Sequence, residues 1–204
     1  MIGLNLGYIN NLSGMNKILQ NYFYKVSVLF AAILCINFTN RIVYCALLFT
    51  FLTLILNGIA KYHGSKKATL SIVLCTATTL GLLYNKQYYM AGKPISGLIV
   101  ASLCAILIAS YIGLRLFIKL ELRYGFALSN SISLAISALV DHLLMGLFFI
   151  RIWRMHKVWS VVYKETAYTY LFAVCIYLVS VAILYAKPVY SKTKQRLRWF
   201  SCSR

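Results

Sequence analysis

Asp141 stands in the stretch Phe126 to Ile150, FALSNSISLAISALVDHLLMGLFFI, which is apolar and long enough to cross a bilayer. A carboxylate at membrane depth costs roughly 2.5–3.5 kcal/mol on insertion scales. It therefore normally faces a protein interior or a water-filled cavity. At about 100° per residue, Asn130, Ser133, Ser137 and Asp141 fall on one polar stripe of a helix. The opposite face is Leu, Ile, Ala and Phe. Such a stripe offers a carboxylate for a proton or ligand, and hydroxyl and amide groups that donate and accept. The plainer reading is a structural Asp bonded to a neighbouring helix, with the serines present for close packing. The site-lining reading is the stronger, because ionisable residues inside membranes mark sites by default. Glu121 and Glu165, the other two acids, fall in short charged connections on this reading.

Other chemistry is sparse. His142 follows Asp141 but projects about 100° further round the helix, so the pair is not a ready-made dyad. His63 and His156 add no ligand pattern. The cysteines, Cys35, Cys45, Cys75, Cys104, Cys175 and Cys202, are scattered, and none forms a CxxC pair or zinc spacing. Five of them lie in apolar runs, where a thiol acts as a small hydrophobe. There is no Walker loop, no GxGxxG and no nucleophile elbow. Enzyme activity, a cofactor and a metal are not expected.

The elements that must position Asp141 are membrane helices. The chain has 204 residues, is 61% hydrophobic and has two prolines. Its apolar runs are continuous, which speaks against a barrel. The expectation is an all-α, polytopic integral membrane protein, a bundle of six transmembrane helices. The spans fall near 22–39, 42–60, 68–84, 95–118, 126–150 and 166–186. Residues 1–21 read as a cytoplasmic N-terminal segment and 187–204 as a basic cytoplasmic tail. The basic loop KYHGSKK joins the second and third spans, the polar loop 85–94 the third and fourth, and KLELRYG the fourth and fifth. The longest loop, RIWRMHKVWSVVYKET, is amphipathic and suits the membrane interface.

The formal charge of +18 would suggest nucleic acid in a soluble protein. Here the basic residues occupy connections and the tail, so topology explains them and no nucleic acid is expected. With the N-terminus inside, 14 basic residues lie inside and 7 outside, which favours both termini in the cytoplasm. The localisation is then the inner (cytoplasmic) membrane. Anionic lipid is a fitting partner for the tail, although a plain topological anchor explains it too. Most of the 16 tyrosines sit at span ends, as an aromatic belt would. Tyr44, Phe49, Phe51 and Phe148 lie deeper, placed either for packing or for stacking on a flat ligand.

Two stretches together resemble a known family. Phe49 to Ala68, FTFLTLILNGIAKYHGSKKA, is similar to the second-helix signature of the queuosine precursor transporter family, also called the putative vitamin uptake transporters. That signature is approximately D-x-x-x-E-x-Y-G-x-x-x-A, and Asn57, Lys61, Gly64 and Ala68 fall on its Asp, Glu, Gly and Ala. The segment SISLAISALVD resembles the family's R-x-x-x-S-x-x-x-S-Q-x-x-D, with Ser133, Ser137 and Asp141 matching. Ser129 stands at the Arg position and Ala138 at the Gln position. The resemblance implies six spans and uptake of 7-deazaguanine precursors of queuosine without ATP hydrolysis. On the transporter reading, Asp141, Ser137, Ser133, Asn130 and Asn57 line a midplane site for a flat nitrogenous molecule, since polar residues of the second and fifth spans face each other at similar depth. The departures remove two carboxylates and a guanidinium. Asn57 can still donate and accept, whereas Lys61 cannot replace an acceptor. The alternative from the residues is a noncatalytic membrane partner, either a substrate-capture subunit or an assembly factor.

Overall fold

Leu, Ile, Val, Ala and Phe dominate the long runs, and neither Pro94 nor Pro188 falls inside one, so helix propagates along each run. In a computed structural model the backbone is described for residues 4–39, 41–86, 88–90, 93–95, 97–151 and 153–201. Side chains are described from Leu19 to Ile183, apart from 40, 87–94, 96 and 152. Five helices make up most of the chain: α1 (Leu4–Phe38), α2 (Ile42–His63), α3 (Ser65–Leu83), α4 (Leu98–Ile150) and α5 (Met155–Ser201). All five contain stretches long and apolar enough to cross a membrane, those of α1 and α5 being Leu19–Phe38 and Met155–Ile183. The protein is thus helical and of the multi-pass membrane type.

The connections are shorter than the sequence suggests. Helix runs through the basic segment at 61–67 except at Gly64, where φ is +92°. The expected interfacial loop at 151–166 is mostly the start of α5, with Val158 and Val162 buried. The polar loop after α3 carries an antiparallel pair, β1 (Tyr88–Met90) and β2 (Lys93–Ile95), in register Tyr88 to Ile95. Residues 4–21, read as a lead-in, continue α1 without a break. The backbone of 187–201 continues α5; the side chains of the basic tail lie outside the described residues.

Helix α4 is 53 residues long, about 80 Å if straight, against a hydrocarbon core of about 30 Å. It is not straight. Gly125 has φ 75° and ψ 175°, a conformation essentially confined to glycine. Ser133 Oγ donates to the carbonyl of Gly113 at 2.7 Å. In an unbroken helix those residues would lie about 30 Å apart. The arms 98–124 and 126–150 therefore fold back on each other about Gly125. Phe117 and Phe126 meet edge to face across the fold at 5.6 Å.

One core cluster joins Leu29 and Ile33 of α1, Leu52 and Leu56 of α2, Ile72 of α3, and Leu103, Leu114 and Phe117 of the first arm. A second joins Phe49, Ala109, Leu134, Ala138 and Ala173, where α5 meets α4 and α2. Large apolar residues remain outside, including Leu47, Leu74, Leu147 and Leu178, as lipid-facing helices require. In α3 the hydroxyls of Thr76, Thr78 and Thr79 donate to carbonyls one turn back, which satisfies them without water.

Candidate functional site

The polar stripe of the second α4 arm divides into two clusters. Asn130 and Asp141 are eleven residues apart, about 16 Å along the helix, so they meet different neighbours.

The first cluster is an interhelical brace. Asn57 of α2 donates through Nδ2 to Asn130 Oδ1 at 2.9 Å and lies 3.4 Å from Ser133 Oγ. Ser133 donates to Gly113 O, and Ser137 to Leu134 O at 3.1 Å. All four side chains are essentially inaccessible. Gly113 is what permits the approach: a Cβ there would stand 2.8 Å from Ser137 Cβ. Asn57 Oδ1 and Ser129 Oγ are buried without partners. Lys61, at the position of the family's Glu, pairs with Glu121 of the first α4 arm at 3.1 Å and lies over the Phe126 ring.

The second cluster holds the acids. A cavity of about 160 Å³ lies between the ends of the helices. Asn37 and Thr39 reach it from the end of α1, Cys45 from α2, Ser102 from the first arm, Asp141 and Phe149 from the second, and Glu165 from α5. Among the described residues its lining holds two carboxylates and neither Lys nor Arg. Asp141 is 8% exposed, and its Oδ1 has no hydrogen-bond partner among the described residues. None of Asn57, Asn130, Ser133 and Ser137 lines this cavity.

Two expectations about the acids change. Glu165 is not in a connection: it lies on α5, facing α4. His142 is not turned away from Asp141. Its Nδ1 lies 3.5 Å from Asp141 Oδ2 and 3.8 Å from Glu165 Oε2. Adjacent residues of a helix start in different directions, but an imidazole and a carboxylate are long enough to converge over a neighbouring helix. His142 Nε2 lies 3.2 Å from Thr169 Oγ1, and the Phe49 ring is 6.1 Å from the imidazole. Of the aromatics placed deep in spans, Phe49 is thus buried against His142, while Tyr44 and Phe51 are exposed. Phe148 meets Phe149 edge to face, and Phe149 stacks on Trp153 at 5.0 Å.

The missed residues carry a legible signal. Val158, Val162, Thr169 and Ala173 are all buried, at helical spacing. Glu165 and Thr169 are one turn apart on that same face. The pattern extends the last helix back through the charged segment and turns Glu165 inward. Gly146 lets α5 close on α4, since a Cβ there would stand 2.9 Å from Val162.

No group of His, Cys, Asp and Glu among the described residues could hold a metal ion. No family model matches the chain, and no curated protein or solved structure matches it.

Proposed function

We propose that the chain is a membrane transporter for a small nitrogenous molecule, which binds in the cavity between the helix ends. The observation that carries this reading is Asp141. It is a buried carboxylate in an apolar helix, it lines a cavity, and one of its oxygens has no hydrogen-bond partner among the described residues. Leaving a carboxylate unpaired there is costly unless a ligand or proton meets it. Glu165 across the cavity doubles the acceptor capacity. A purine-like edge with adjacent N–H donors matches a carboxylate well. The cavity is below the usual 300–1,000 Å³ range of drug-sized sites, roughly suited to one flat ring system. The substrate proposed is a queuosine precursor of the 7-cyano-7-deazaguanine type, on the resemblance of the second and fifth spans.

In this reading the two arms of α4 cross the membrane separately, making six crossings with both termini in the cytoplasm of the inner membrane. Asp141 and Glu165 contact the substrate, while Asn57, Asn130, Ser133 and Ser137 hold the helices that frame it. The basic tail rests on anionic lipid.

The test is rescue. The chain is expressed in a bacterium lacking both queuosine-precursor synthesis and its own precursor transporter, a low concentration of 7-cyano-7-deazaguanine is supplied, and tRNA is assayed for queuosine. Rescue that depends on Asp141 is the expected result. No rescue by a membrane-inserted, folded protein would overturn the substrate, and the noncatalytic membrane partner would take its place.

A further inference from the structure

We infer that Asp141, His142 and Glu165 form a proton-binding centre in the cavity wall, and that a cationic ligand entering the cavity displaces its proton. The inference rests on the cavity being a ligand site, as proposed above.

Hydrogens are scarce around the imidazole. Thr169 has one hydroxyl hydrogen, and its Oγ1 lies 2.9 Å from the Glu165 carbonyl, a bond in which it must donate. Its oxygen then accepts from His142 Nε2–H at 3.2 Å. That leaves a bare nitrogen lone pair at Nδ1 facing two carboxylate oxygens, at 3.5 and 3.8 Å, unless a further proton is present. If Thr169 instead donates to Nε2, the imidazole's own proton sits on Nδ1. In the first arrangement a further proton among Nδ1, Oδ2 and Oε2 relieves that opposition of lone pairs; in the second the imidazole's own proton already lies there.

Charge carries the argument further. One proton on the trio leaves it net negative, and among the described residues the cavity lining holds neither Lys nor Arg. The groups facing it are Cys45 and Phe49 from α2, Asn37 and Thr39 from α1, and Ser102 from the first α4 arm. Cys45 is the one titratable group among these. A net negative charge at membrane depth is relieved by a second proton or by a cation. Both compete for the same two carboxylates. The trio is also free to respond. Its separations exceed hydrogen-bond length, and Nδ1 and Asp141 Oδ1 are buried without hydrogen-bond partners. The exchange balances: one ammonium enters, one proton leaves a carboxyl for solvent, and no covalent bond other than that to hydrogen changes.

Infrared difference spectroscopy of the full chain in lipid nanodiscs reads this directly, because a protonated carboxyl has a C=O band that a carboxylate lacks. Benzylamine serves as a flat cationic probe and benzyl alcohol as its neutral counterpart. On acidification a carboxyl band should appear in the wild type and lose intensity in Asp141→Asn or Glu165→Gln. At the same acid pH benzylamine should remove the part of the band that the two variants lack, and benzyl alcohol should leave it unchanged. His142→Gln should shift the pH at which it appears while both carboxyls remain. A band unaffected by both carboxyl variants, or one indifferent to benzylamine, overturns the inference. The amine–alcohol comparison uses the wild type alone, so a variant that fails to fold does not blunt the test. Displacement without rescue of queuosine would sink the transport reading only; rescue without displacement would sink this one.

Discussion

His142 of the second α4 arm and Glu165 of α5 face each other through Nδ1 and Oε2 at 3.8 Å. Asp141 Oδ2 lies 3.5 Å from the same nitrogen, so one imidazole edge serves two carboxylates from two helices. The pairing turns Glu165, a residue near the start of a helix, toward the cavity.

Removing the charge from either acid should therefore act on transport rather than on insertion. Asp141→Asn and Glu165→Gln keep size and shape while removing a charged acceptor. Each should lower precursor uptake by about an order of magnitude or more, the scale of losing a charge-assisted hydrogen bond of roughly 1.5–3 kcal/mol. Membrane yield and helical circular dichroism should stay at wild-type levels. Uptake equal to wild type in Asp141→Asn would remove Asp141 from the mechanism.

The helical class and the inward placement of Asp141 could be read from the chain, because apolar run length and an isolated charge are local signals. The partners of Asp141 could not. Residues 151–166 carry Arg151, Arg154, Lys157, Lys164 and Glu165, and so read as a connection. Tertiary packing overrides that signal: Val158 and Val162 bury against α4, and the helix starts at Met155. The polar stripe misleads in a different way. Shared helical face places residues at the same angle, not at the same depth, so Asn130 meets Asn57 while Asp141 meets the cavity. The segment KLELRYG reads as a connection, but nothing in it shows the sharpness of a fold that needs only Gly125 outside helical geometry.

Gly113→Ala should destabilise the α4 hairpin. The added Cβ would stand 2.8 Å from Ser137 Cβ and 3.3 Å from Ser133 Oγ. Overpacking of this kind costs about 1–3 kcal/mol. Unfolding in detergent, followed by circular dichroism, should show the loss. Ser137→Gly, which removes the opposing atoms, should recover part of it in the double variant. A Gly113→Ala protein as stable as wild type would mean that the arms do not approach so closely.

The contact of Asn57 with Asn130 should appear as a coupling energy. Interhelical hydrogen bonds in membranes average about 0.6 kcal/mol and reach about 1–2 kcal/mol. A double-mutant cycle with Asn57→Ala and Asn130→Ala should give a value in that range. If these residues frame the site without touching substrate, the single variants should lower stability and leave the apparent KM of uptake near wild type. A large rise in KM with stability intact would return both residues to the substrate site.

Six crossings require the turns at Gly64 and Gly125 to lie on one side of the membrane. The structure favours this through a specific contact: Lys61, just before the first turn, pairs with Glu121, just before the second. Lys25 lies over the Tyr62 ring and Lys67 over the Tyr22 ring, so α1 adds its positive charge at the same end. Positive charge gathers on the cytoplasmic side. The opposite end carries Arg41 between α1 and α2, and Trp153 between α4 and α5. Single cysteines placed in a background without the six native ones read this arrangement directly. Lys66→Cys and Leu122→Cys should be shielded from a membrane-impermeant thiol reagent in intact cells and react once the membrane is opened. Leu122 is 87% exposed, so its protection would come from the bilayer and not from packing. Arg41→Cys and Trp153→Cys should react in intact cells. If positions 66 and 122 label from opposite sides, α4 does not fold back across the membrane, the cavity loses the geometry that brings Asp141 to Glu165, and the transport reading falls with it.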